Sequence, residues 1–319
     1  MKSIVIATSI LISSLAHAWE PTKPIEAIIG FGPGSGNEIS FRIVSSQVEA
    51  NTGAKFVINL KPGAGSAVAN EYVSKDVADG YHICVCSDSA LSATDRMVLP
   101  NKRHTTDDFA YAMSFASTPM TFVVKADDPI NTIQDLVTAL RTEKPSVGES
   151  GSAARLTYEL LLDHVKFTED SQNVVRVTHK SPADTLNDIM GGHVRIGIMP
   201  LLISYPSHAA GKVKIIAVTS ERAVPTLNAK PMSSVYPDFV FNLDWGIVLP
   251  KGTNKEVVDW YVAEFNTAIN NKDIQTKLAD NMMFINKRLL NSRDFQNSIV
   301  QEEKKYTHLV DRVISQQSK

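Results

Sequence analysis

The chain has 319 residues, 43% of them hydrophobic and 21% charged, with 32 basic and 34 acidic side chains and a net charge of −2. That near-neutral, slightly acidic balance argues against a nucleic-acid or anionic-membrane partner, which needs a basic patch. The length is enough for two domains with sizeable cores.

Residues 1–18 carry a basic start at Lys2, an apolar stretch from Ile4 to Leu15, and Ala16-His17-Ala18 as a small-residue cleavage site. This is the pattern of a secretory leader, so the mature chain is expected to be exported, beginning near Trp19. No cysteine follows the cleavage site, and no later run reaches the ~20 apolar residues of a membrane span. The two cysteines, Cys84 and Cys86, share one face of an apolar strand-like segment. Two small buried residues and an oxidised pair are both compatible with that spacing.

Ile25 to Ile29 is rich in β-branched residues and precedes Gly30-Phe31-Gly32-Pro33-Gly34-Ser35-Gly36-Asn37-Glu38. Ile39, Ile43, Val44 and Val48 then recur at helical spacing up to Gly53, which puts the glycines at a strand-to-helix junction. The first amides of a helix lack intrahelical partners and lie at the positive end of its dipole, so backbone alone can hold a carboxylate or phosphate there. A glycine-rich turn that merely reverses the chain has the same composition.

The unit repeats as a strand at 55–60, a loop at 61–66, a helix at about 67–77 and a strand at 83–86. A strand at 120–125 leads to a helix at 132–140. Ser146 to Ser152 restates the opening loop before a helix at 153–165, giving a second helix N-terminus behind a Gly/Ser turn. After a strand at 173–177, Ser181, Pro182 and Asp184 have the spacing of a helix cap, and Gly191-Gly192 ends that helix. Strands at 214–219 and 245–249 and helices at about 255–270 and 292–315 complete the chain. Alternating strands and helices predict an α/β protein with mostly parallel sheets, with ligands beyond the carboxyl ends of the strands. Two such units suggest two lobes closing on a small anion: 19–123 with 245–319, and 124–244. The chain then crosses near Val123 to Lys125 and again near Asp244 to Gly246.

These residues resemble the periplasmic receptors of tripartite tricarboxylate transporters, the Bug receptor family. The matching pieces are Pro24-Ile25, Phe31 to Glu38 with Arg42, Lys61 to Ser66, Asp79-Gly80-Tyr81, Gly191 to Val194, Ala217 to Ser220 and Trp245-Gly246. Their order is kept over nearly the whole mature chain. The resemblance implies a two-lobed periplasmic-binding-protein fold that traps a small carboxylate and delivers it to membrane permease subunits, without cofactor or metal and as a monomer. Carried over, the binding residues are Phe31, Gly32, Gly34, Ser35, Gly36, Asn37 and Glu38 from the first loop. Ser150, Gly151, Ser152, Ala153 and Arg155 come from the second, with Ala64, Gly65, Ser87 and Ser89 lining the rest. Arg155 stands where the family often has His, and His179 where it often has Tyr. A guanidinium at a helix start suits a second carboxylate, and His179, beside Lys180, is expected at the pocket.

Catalytic patterns are poor. Pro33 and Ser35 spoil a dinucleotide fingerprint, and Ser152 replaces the last glycine of a nucleophile elbow. The histidines lack metal-ligand spacing. An exported hydrolase using Ser150 or Ser152 with His179, and a sensor feeding a membrane kinase, are the alternative readings.

Overall fold

A computed structural model describes residues 19–101, 103–167 and 174–317; the expected leader, 1–18, lies outside them. The first half starts with β1 (Ile25–Ile29), α1 (Gly36–Thr52), β2 (Phe56–Leu60), α2 (Ala67–Ser74), β3 (His82–Ser87) and the short α3 (Asp88–Leu91). β1 lies between β2 and β3, parallel to both, with Ala27 opposite Ile58 and Ile83. A central parallel strand is covered on both faces, which is why Ile25 to Ile29 is almost uniformly apolar and buried. α1 turns Phe41, Val44 and Val48 into the core and stops at Gly53, whose left-handed φ of 77° lets its amide reach Glu49 O.

β4 (Phe109–Lys125) then runs for 17 residues. Beyond it come α4 (Ile133–Thr142), β5 (Ser146–Glu149), α5 (Gly151–His164), β6 (Val175–Thr178), α6 (Pro182–Gly191), β7 (Ile196–Pro200), α7 (Leu201–Ala209), β8 (Val213–Val218) and β9 (Lys230–Pro231). β10 (Asn242–Pro250) returns to the first half, which α8 (Lys255–Ile269), α9 (Lys272–Asp280) and α10 (Ser292–Gln317) complete.

All strands join one mixed sheet, ordered β2-β1-β3-β10-β4-β7-β5-β6, with β8 also on β4 and β9 on β8. Each half keeps a parallel core, β2-β1-β3 and β6-β5-β7, as the alternation of strands and helices predicts. The crossing strands make the sheet mixed. β4 carries the chain out and β10 brings it back, so they pair antiparallel. β4 pairs with β10 from Phe109 to Pro119, then with β7 and β8 from Met120 to Lys125. Pro119, which cannot donate to a ladder, sits where the partners change.

The elements not expected from the sequence are α3, the first half of β4, the β7–α7 pair, β9 and α9. The caps fall as expected. Ser181 Oγ accepts the Asp184 amide at 3.2 Å, with Pro182 in the first turn. Cys84 and Cys86 lie side by side on β3, fully buried, and are joined as a disulfide.

Candidate binding cleft

The first loop is shaped by what it must pass. A Cβ at Gly30 would collide with Ser66, and one at Gly36 with the Trp245 ring, so both positions need glycine. The loop is pinned by its own acid: Glu38 Oε2 accepts the Gly34 amide at 2.8 Å, and Oε1 takes a forked contact from Arg42 at 2.7 and 2.9 Å. Asn37 donates to Val85 O at 2.9 Å, tying the first turn of α1 to β3. Ile39 donates back to Ser35 O, so the amides before it face the cleft end of the helix without intrahelical partners.

The second loop approaches from the other half. Ser150 stands at the N-cap position of α5 with its hydroxyl unbonded, and Gly151 begins the helix at a φ of 73°. A Cβ on Gly65 would stand 3.1 Å from the Gly151 Cα, and one on Gly151 would stand 3.2 Å from Phe31 Cζ. Backbone from each half therefore meets across the cleft with no room for a side chain. Beside this contact lies a cavity of about 30 Å³. Phe31, Ser35, Gly36, Asn37 and Ser87 line it from the first half, and Ser150 to Ala153, Pro182 and Pro200 from the second. Met120, Leu243 and Trp245 form the crossing wall.

Ser35 Oγ, Ser150 Oγ and Trp245 Nε1 are buried and make no hydrogen bond. Buried polar groups are normally paired, and leaving one unpaired costs ~1–3 kcal/mol. Three such groups lie on the lining of one cavity, drawn from both loops and the crossing wall, where a hydrogen-bond acceptor would satisfy them.

Phe31, Ser35, Gly36, Asn37, Ser87 and Ser150 to Ala153 thus come together as the sequence predicts. Ala64, Gly65 and His179 line a second cavity, of about 520 Å³, which shares Phe31 and Gly151 with the first. Gly32, Gly34 and Ser89 line neither; Ser89 is fully buried behind Ser87.

The expected role of Arg155 is corrected by the structure. Its side chain is 3% exposed and lies between Glu149, at 3.2 Å, and Glu159, at 2.8 Å, behind the loop. Two buried carboxylates hold the guanidinium more firmly than an open cleft could. Burial drives the Glu149 carboxyl up to about 7 against the pull of Arg155, and the nearby Glu159 raises it further. Glu159 also accepts from Arg312 of α10 at 3.1 Å, so the network links α5 to the chain's last helix. Glu38 is likewise a loop brace whose oxygens are taken up by Gly34 and Arg42. His179 Nε2 pairs with Asp188 at 2.8 Å, and among the described residues no hydrogen bond joins it to Ser150 or Ser152.

Trp245, Met120, Leu243, Pro182 and Pro200 were missed as lining residues. Trp245-Gly246 is visible in the sequence, but that its indole faces the loops depends on β10 lying between β3 and β4.

One residue away from Ser87 and Trp245, on the far side of the wall, Asp88, Asp244 and Glu302 line a cavity of about 310 Å³. Asn286 donates to Asp244 at 3.3 Å, and Ser92 to Glu302 at 3.3 Å. Burial is the main cause that raises all three carboxyls, Asp244 to about 6, Glu302 to about 8, and Asp88 well above the usual range with Glu302 and Asp244 adding to it.

Two α/β halves on a shared sheet, with helix N-termini facing each other across a cleft, define a two-lobed periplasmic-binding-protein fold. Solved structures agree: BugD superposes with a TM-score of 0.83 at 22% identity, covering 92% of this chain and 98% of that one. MatC from Rhodopseudomonas palustris with bound malate gives 0.83 at 17% identity, covering 91% and 100%. A second R. palustris protein with adipate gives 0.83 at 21%, covering 92% and 98%. The chain belongs to the tripartite tricarboxylate transporter family receptors, whose family model matches residues 40–314. Among relatives, a protein from the tcbD-tcbE intergenic region of Pseudomonas sp. strain P51 is 27% identical over 80% of this chain and 76% of its own length. BugT of Bordetella pertussis is 22% identical over 85% and 84%.

Proposed function

We propose that this chain is a periplasmic receptor that captures a small organic carboxylate between its lobes and presents it to the permease subunits of a tripartite transporter. The observation that carries the reading is the trio of unpartnered buried groups, Ser35 Oγ, Ser150 Oγ and Trp245 Nε1, around one cavity. Hydroxyls, an indole N–H and the amides of two helix starts are all donors suited to an anion, and they need no cation in contact with it. The malate and adipate in the two similar structures support the carboxylate class.

A cavity of about 30 Å³ is far below the ~300–1,000 Å³ of small-molecule pockets. Entry of a whole acid therefore requires the lobes to part, with the division where β4 changes partners between Pro119 and Met120. A ligand touching both loops favours the closed form through its differential affinity. Export of the chain follows from residues 1–18 acting as a leader.

The test is a thermal-shift screen of the mature chain against di- and tricarboxylates, aromatic acids and acidic amino acids. A ligand that prefers the native state raises the melting temperature, and recovery of that ligand chemically unchanged separates binding from hydrolysis. If no carboxylate raises the melting temperature, the reading fails.

A further inference from the structure

We propose that the cleft takes up its anion together with a proton, and that the proton is held by the buried acids behind the cavity wall, Asp88, Asp244 and Glu302. The inference rests on the carboxylate reading above and adds to it how the protein answers the ligand's charge.

The three acids come from three elements, α3, β10 and α10, and converge on one cavity of about 310 Å³. Glu302 and Asp88 are hydrogen-bonded carboxyl to carboxyl. That contact needs a proton between them, because an ionised carboxylate is an acceptor only. Arg288 and Lys305 line the same cavity, yet among the described residues no cation comes within ion-pair distance of any of the three. Lys305 favours the ionised form of Glu302 from a distance and is outweighed by burial. Tyr306 of α10 keeps its proton, its hydroxyl raised by burial, Glu302 and Asp88. Arg96, between α3 and β4, pairs with none of the acids, and Arg155 of α5 is committed to Glu149 and Glu159. Buried acids gathered without a cation cannot all ionise near neutral pH.

These acids stand directly behind the donors of the inner cavity. Ser87 and Trp245 line that cavity and face each other across the β3–β10 ladder. Asp88 and Asp244 are their chain neighbours, one Cα step of ~3.8 Å away. The cavity itself offers an anion neutral donors, since Arg42 and Arg155 are bound to acids of their own. A negative charge entering such a closed space disfavours the ionised form of every carboxyl near it. Asp244, raised to about 6, and Glu302, raised to about 8, exchange protons with solvent between those values. An arriving anion therefore draws a proton onto the cluster, and affinity falls as pH rises through that window. His179, the other titratable group at the cleft, lies in the outer cavity and is paired with Asp188.

The experiment is calorimetric titration of the mature chain with malate and with adipate, in buffers of different ionisation enthalpy, from about pH 6 to about pH 8. The slope of binding enthalpy against buffer enthalpy counts protons taken up, after the acid's own titration is subtracted. Wild type is compared with D244N, E302Q, D88N/D244N/E302Q and H179N. The expected result for wild type is uptake of ~0.5 proton per anion and a ~threefold loss of affinity per pH unit, the two being one linked quantity. Each single amide should lower the uptake, the triple amide should abolish it, and H179N should retain it. Binding of either acid without uptake overturns the proposal and leaves the carboxylate reading standing. Uptake undiminished in both D244N and E302Q, or lost in H179N, also overturns it, by placing the proton elsewhere. Wild type binding neither acid while binding another class of molecule overturns both.

Discussion

The two loops that meet across the cleft use the same ingredients and hold them differently. In the first, Arg42 is 60% exposed at the side chain and braces Glu38 from the solvent side. In the second, Arg155 is locked behind the loop between two buried acids. Both motifs place charge near the proposed anion site, yet neither sends that charge into the inner cavity. Charged residues shape the loops, and neutral donors line the cavity.

The sharpest way to break this contrast is to remove each arginine. R155M removes the guanidinium that Glu149 and Glu159 share, leaving them only the more exposed Arg176 at 3.5 Å and Arg312 at 3.1 Å, and is expected to cost up to ~3–5 kcal/mol, whereas R42A is expected to cost no more than ~1 kcal/mol. Urea unfolding midpoints check both, and equal losses would remove the distinction. The neutral donors are tested next. W245F keeps an aromatic wall and deletes Nε1, with an expected loss of ~1.5–3 kcal/mol in carboxylate affinity, the range for a hydrogen bond to a charged group; S35A and S150A should each lose less, all read by calorimetry.

Gly36 and Gly34 sharpen the comparison within one loop. G36A forces the Trp245 ring aside, at ~1–3 kcal/mol for overpacking. G34A, at φ 76° with open space around it, is expected to cost ~1–2 kcal/mol from left-handed backbone alone, and only G36A should also weaken ligand binding.

The last contrast is one of pH dependence and concerns the acids behind the wall. The Glu302 carboxyl is raised from 4.5 to about 8 by burial, so the native state retains a proton that the unfolded chain has released. Stability from this group is fully present below 4.5 and falls as pH rises towards 8. E302Q should therefore flatten the fall of melting temperature over that window and be more stable than wild type at its alkaline end. An unchanged slope would show that Glu302 does not titrate there.

Local chemistry made much of the fold legible. Ser181, Pro182 and Asp184 announce a helix start, Gly53 a helix stop, and the Gly/Ser runs before residues 36 and 151 mark both cleft loops, because each signal is spent within a few residues of chain. The β7–α7 pair was not legible, since Ile196 to Ile203 is a continuous apolar run with no period to divide strand from helix, and Pro206 lies inside α7. Arg155 misled because its i,i+4 partner Glu159 is visible in sequence while Glu149, on the preceding strand, competes for the same guanidinium only once β5 and α5 are packed. The indole of Trp245 reaches the loops only because β10 returns from far along the chain.

β4 belongs to both halves as one unbroken strand, so parting them distorts a hydrogen-bonded ladder; no slack linker swings. On the receptor reading proposed above, the sheet itself is the hinge: any opening of the cleft is a twist of β4 against β10 on one side and against β7 and β8 on the other.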